Sequence, residues 1–139
     1  MRRFVAFTLA VLLGLAVTAD EDQVEYRQEV MSAIGGTMGA LAKILRQEVD
    51  RPNDIAPLAA ALAELAETAQ SVFPEGSEGG DALPEIWEEP QDFAERLTTL
   101  KEAASAFREA ASSGDMAQIG PAVGELGQAC RGCHTRYRE

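Results

Sequence analysis

The chain has 139 residues, one small domain's worth, and its 12 Lys and Arg against 23 Asp and Glu leave a net charge of −11. That balance excludes a general nucleic-acid binder, which needs clustered cations on one face to meet phosphates. Apolar residues make up 46 % and aromatic residues 6 %, and two Cys cannot build a disulfide scaffold, so the composition is that of a helix-rich globular domain. A chain this short has a modest core, which a prosthetic group would enlarge.

Arg2 and Arg3 precede an apolar run from Phe4 to Val17, softened only by Thr8 and Gly14, and Val17-Thr18-Ala19 puts small residues where signal peptidase cuts. Residues 1–19 therefore read as a cleaved secretory signal peptide and residues 20–139 as the folded domain. An uncleaved membrane helix is the competing reading. The run spans about 14 residues, short of the roughly 20 a bilayer requires, and Asp20, Glu21 and Asp22 follow at once. The Arg pair also suggests twin-arginine export, but the residues that usually surround that motif are missing. Cleavage removes two positive charges and leaves an exported, soluble, strongly acidic chain.

The first helix is predicted from the three-four spacing of Val24, Met31, Ile34, Met38, Leu41, Leu45 and Val49, with Glu21 or Asp22 at its amino end. Pro52-Asn53-Asp54 interrupts. Ile55, Leu58, Leu62, Leu65, Ala66, Ala69 and Phe73 then mark a second helix of about five turns, capped by Asn53 or Asp54, with Pro57 tolerated in its first turn. From Pro74 to Pro90, glycines, prolines and acids predict a long loop without helix or strand, of a length that usually carries function. Phe93, Leu97, Leu100, Ala104, Phe107 and Ala111 stripe a third helix that stops at Ser112-Ser113-Gly114. Asp115 caps a fourth, striped by Ile119, Val123, Leu126 and Cys130, in which Pro121 marks either a kink or the first turn. Short connections make each pair antiparallel. The fold expected is all-α, an up-down-up-down four-helix bundle.

Cys130-Arg131-Gly132-Cys133-His134 is C-x-x-C-H, the attachment signature of a covalent c-type haem. Two thiols three residues apart can add to the two vinyl groups of one porphyrin, and the next residue brings an imidazole nitrogen to the iron. At 100° per residue, Cys130, Cys133, His134, Tyr137 and Arg138 fall within an arc of roughly 140°, sharing a face with Val123 and Leu126. The expectation is one haem c per chain, fixed against the last helix inside the bundle. A thioredoxin-like dithiol needs a βαβ setting that is absent, and a structural zinc site needs a fourth ligand beyond two Cys and one His.

His134 is the sole histidine, so the far side of the iron has no distal imidazole, and peroxidase-like or globin-like chemistry loses its usual residue. That position falls to Met31, to Met38, to a weaker donor or to nothing, and both methionines serve equally well as core. Arg27, at the edge of the first helix's apolar face, can pair with a haem propionate or stay solvated. Arg138, one turn after His134, can tune the proximal side or end the helix favourably.

Tyr26-Arg27-Gln28, Phe73 followed by Pro-Glu-Gly-Ser-Glu-Gly-Gly-Asp, Pro84-Glu85-Ile86-Trp87, and Cys130 to Arg138 together resemble the cytochrome c′ family, the class II c-type cytochromes. The likeness spans essentially the whole mature chain, and that family is itself a standard example of the up-down bundle. The resemblance implies that Cys130 and Cys133 hold the haem and His134 is the proximal ligand. It also implies that Arg27, Gln28 and Asp81 lie around the propionates and haem edge, with Met31 over the distal face. It implies a periplasmic protein, homodimeric through the first two helices, whose open distal site takes nitric oxide and carbon monoxide. Low-spin relatives of the same fold instead use a first-helix Met as sixth ligand and carry electrons. Two functions follow, a gas-binding haem protein that can also pass electrons, or a six-coordinate His-Met carrier that docks a redox partner through its acidic surface. An enzyme using Cys130 and Cys133 as a dithiol is the outsider.

Overall fold

The computed structural model describes residues 21–139; the expected signal peptide lies outside the described residues. Helix α1 spans Glu21–Leu45, with Glu21 and Asp22 in its first turn and Lys43 in its last, each complementing the helix dipole. It buries Arg27, Val30, Ile34 and Leu41. It stops one turn earlier than the stripe through Val49 suggests. Gln47 adopts φ 60°, and the N–H groups of Gln47 and Glu48 turn back to the carbonyls of Ile44 and Lys43, a Schellman closure that leaves Val49 exposed.

After a 3-10 turn at Pro52–Asp54, α2 runs Ile55–Thr68 and tightens into a second 3-10 turn at Ala69–Ser71. The predicted extension to Phe73 fails because Pro74 disfavours a helical residue before it. Asp54 occupies the N-cap of α2, but its carboxylate accepts from Arg51 Nε at 2.8 Å and makes no cap bond. The stretch 74–90, expected to lack helix, contains a single turn, α3, at Glu85–Glu88. Pro84 supplies a preset helical φ before it, and Ile86 anchors it in the core. Pro90 opens α4, Pro90–Ser113, which ends at Gly114 with φ 69°, a left-handed turn that suits glycine. Asp115 caps α5, Met116–Tyr137, accepting the Ala117 N–H at 2.9 Å as expected. The helix begins well before Pro121 and runs through it, so Pro121 is not in its first turn.

The four long helices form an antiparallel bundle in which α4 packs on both α2 and α5, and α1 packs on α2. Leu41, Leu62, Phe107, Ile119 and Leu126 meet as fully buried side chains drawn from all four. Burial of such side chains contributes about 2 kcal/mol each. All six positions of the predicted α4 stripe are buried. Among the described residues there are no strands, only isolated antiparallel bridges at Gly79–Ala82 and Ala82–Arg138. The second ties the carboxyl end of α5 to the long loop, with Leu83 N–H on Tyr137 O at 3.0 Å and Glu139 N–H on Asp81 O at 3.1 Å. Mid-way along α1, Gly35, Gly36 and Gly39 occupy positions where a Cβ would meet nothing within 4 Å.

Candidate functional site

The last two turns of α5 carry Cys130 and Cys133 as free, half-buried thiols packed at the edge of the core. Burial pushes both thiols above the ordinary cysteine range, and at Cys133 the Arg96 charge partly opposes this. His134 follows with its side chain exposed. Its pKa lies below the usual histidine value, chiefly from partial desolvation and secondarily from the positive charge of Arg138.

Along the expected arc, Tyr137 is 2 % exposed, the thiols are half-buried, and His134 and Arg138 are exposed. Helix α4 packs against this end of α5 through polar contacts. Tyr137 Oη donates its one hydrogen to Asp92 Oδ2 at 2.5 Å, with Glu89 Oε2 also in reach at 3.1 Å. Arg136 grips Glu89 through Nε at 2.8 Å and Nη2 at 2.6 Å, and Arg96 donates to Asp92 Oδ2 at 2.7 Å and to the Gly132 carbonyl at 2.7 Å. These donors hold the Glu89 carboxyl, through Arg136 first, and the Asp92 carboxyl, through Arg96 first, below the ordinary carboxylate range. Tyr137 is raised, by desolvation and then by Asp92.

Arg27 is 2 % exposed, which removes the solvated alternative. Its Nη1 donates to Ser77 O at 2.6 Å and Ser77 Oγ at 3.1 Å, and its Nη2 donates to Gly79 O at 2.7 Å. The guanidinium carbon lies 5.3 Å from the Phe73 ring centroid and 5.6 Å from that of Trp87. Burial lowers its pKa, opposed by the charge of Glu78. Ser77 is itself buried and donates to Pro74 O at 2.7 Å, which also accepts from Trp87 Nε1 at 3.0 Å. Arg27 thus folds the glycine-rich turn onto α1.

That turn collects the other expected residues. Gln28 lies so close to Gly80, at φ 61°, that a Cβ there would come within 2.3 Å of Gln28 Nε2. Asp81, exposed, meets Arg138 Nη2 at 3.5 Å. The structure therefore brings Arg27, Gln28, Asp81 and Arg138 around residues 77–82, beside the end of the haem-motif helix. Met31 and Met38 are half-buried on α1 and pack against the core.

The donor set fits a covalently attached haem. Two thiols sit on neighbouring turns of one helix with an accessible imidazole next to the second, and no group of three or more His, Cys, Asp or Glu among the described residues forms a competing metal site. Sequence reasoning missed Asp92, Arg96 and Glu89, which look like ordinary charged positions of an exposed helix face. It also missed Ser77, whose burial inside an acidic loop has no periodic signal. Tyr137 was placed on the motif face, but its acidic partners, 45 and 48 residues away in sequence, were not.

The model of the family described as Cytochrome C′ matches residues 22–138. The chain belongs to the cytochrome c′ family. Cytochrome c′ of Pararhodospirillum photometricum is 35 % identical over 122 residues, covering 86 % of this chain and 98 % of that protein. Cytochrome c-554 of Cereibacter sphaeroides is 34 % identical over 142 residues, covering 96 % of this chain and 92 % of that one. Among solved structures, the nitric oxide complex of a point variant of cytochrome c prime from Alcaligenes xylosoxidans superposes with a TM-score of 0.81 at 28 % identity, covering 87 % of this chain and 97 % of that one. Members of this family carry covalently bound haem c, the cofactor to which the C-x-x-C-H of α5 is suited.

Proposed function

We propose that this chain is a periplasmic haem c protein, not an enzyme, that binds diatomic gases at an open distal site and can also pass electrons. Cys130 and Cys133 would hold the haem, His134 would be its proximal ligand, and Arg27, Gln28 and Asp81 would lie at its propionate edge. Haem, when bound, supplies an iron that takes small neutral gases and exchanges one electron. The observation that carries the reading is the C-x-x-C-H in the last turns of α5 in a chain whose sole histidine is His134. The similarity to a structure solved with nitric oxide supports the choice of gas.

The chain's own residues account for the rest. A His134 held below its ordinary pKa stays neutral near pH 7 and keeps a lone pair for a metal. Thiols pushed upward by burial remain protonated, which disfavours a dithiol enzyme. Met31, half-buried on α1, would cover the distal face as an apolar lid and exclude anionic ligands. No helix among the described residues is long and apolar enough to cross a membrane. An acidic surface suits a redox partner with a basic docking face, and pairing of two copies through α1 and α2 would give a homodimer.

The second reading, a low-spin His-Met electron carrier, is favoured by one observation, the pair Met31 and Met38 half-buried on the same helix. Absorption spectra of the ferric and ferrous holoprotein, with and without carbon monoxide, separate the two. A high-spin spectrum that shifts with the gas is expected; a low-spin spectrum that the gas leaves unmoved would overturn the open site. In Met31→Ala, gas binding should quicken severalfold with the spin state unchanged, whereas conversion from low to high spin would make Met31 a ligand.

A further inference from the structure

Arg96 lies on α4, outside the motif, yet its side chain bonds to the motif's backbone. Its Nη1 donates to the carbonyl of Gly132, the residue immediately before Cys133, at 2.7 Å. Its Nε is held by Asp92 one turn earlier at 2.7 Å, and its guanidinium carbon stands 5.7 Å from the ring centroid of Tyr137. Asp92 is in turn fixed by the Tyr137 hydroxyl at 2.5 Å. The Gly132 carbonyl has two lone pairs, one for the helix and one for the guanidinium, so the contact adds to the backbone of α5 without breaking it. A planar fork restrained from three sides keeps its charge in one place, unlike a surface lysine.

We propose that Arg96 is a positioning residue: it fixes the turn bearing Cys133 and His134 and sets a stationary positive charge beside it that raises the haem's reduction potential, with Asp92 limiting how much of that charge is felt. This rests on the haem reading of Cys130, Cys133 and His134. A positive charge near a redox centre favours the form that holds the extra electron, so removing it lowers the potential and removing its counter-charge raises it.

The test uses covalently loaded holoprotein of the wild type and of Arg96→Gln, Arg96→Lys and Asp92→Asn. Midpoint potentials are measured by spectroelectrochemical titration, and the iron–histidine stretch of the ferrous form by resonance Raman. The expected result is a downward shift in Arg96→Gln, an upward shift in Asp92→Asn, a potential near wild type in Arg96→Lys, and a displaced stretch in Arg96→Gln. A contact that merely staples α4 to α5 would lower the melting temperature of Arg96→Gln and Asp92→Asn and leave their potentials unmoved or shifted in the same direction. That outcome overturns the proposal. If Arg96→Gln does not fold, the upward shift in Asp92→Asn decides alone. A pyridine haemochrome assay keeps the two readings apart: no covalent haem in the wild type sinks the haem reading, while one haem per chain with unshifted potentials sinks only the role of Arg96.

Discussion

The 74–82 turn and the last turn of α5 are both anchored by arginine, but the chemistry differs. Arg27 is sealed from solvent and meets two carbonyls, a hydroxyl and two aromatic faces, whereas Arg96 and Arg136 meet the carboxylates of Asp92 and Glu89 nearer the surface. Neutral partners cannot be titrated away and are hardly screened by salt, so the first anchor is insensitive to conditions and intolerant of mutation. Ion pairs near water stabilise little, yet they orient charge and respond to pH. The loop is clamped for permanence, while the end of α5 is held by contacts that can be tuned.

Removing the buried clasp should have the largest effect. Arg27→Ala strands the carbonyls of Ser77 and Gly79, and a loss of about 3 kcal/mol in denaturant unfolding is expected, together with loss of hydrogen-exchange protection in residues 75–80. Retained protection there would mean that Phe73 and Trp87 hold the loop by themselves. Acid should sort the two anchors next. Because Asp92 and Glu89 titrate below their unfolded values, their contribution is complete at neutral pH and is lost as the pH falls through those lowered values. Two-dimensional NMR followed down an acid titration should show the end of α5 loosening while the Arg27 clasp, which uses no carboxylate bond, persists. The smallest effect is expected for Tyr137→Phe, which keeps the buried ring and loses only the hydroxyl. About 1 kcal/mol by thermal melting is anticipated, with the acid transition of the α5 end displaced upward.

The α4 stripe was fully legible because every apolar residue in it is buried in a helix that packs on both α2 and α5. The haem motif was legible for a different reason, since its chemistry fixes a spacing that survives any packing. Less legible was α1, whose inward face includes Arg27 and Val30 in place of the expected Val49; a buried guanidinium looks polar in a periodicity and declares itself only when its partners are known. The single turn at Glu85–Glu88 hid among prolines and acids, and Ile86 was its one apolar clue. The contacts around Tyr137 and Ser77 join residues remote in sequence, and no local pattern encodes a meeting of that kind.

The mid-helix glycines of α1 have a consequence for where that helix gets its order. Each costs roughly 0.5–1 kcal/mol relative to alanine, and at Gly35, Gly36 and Gly39 no nearby atom would forbid a larger side chain. The penalty is therefore not compensated by close approach within this chain. Cut free, the 25-residue segment would spend most of its time unwound, because three such residues in the span of five depress propagation where an isolated helix can least tolerate it. The helicity of α1 is conditional, lent to it by α2 along one side and by the buried clasp near its amino end.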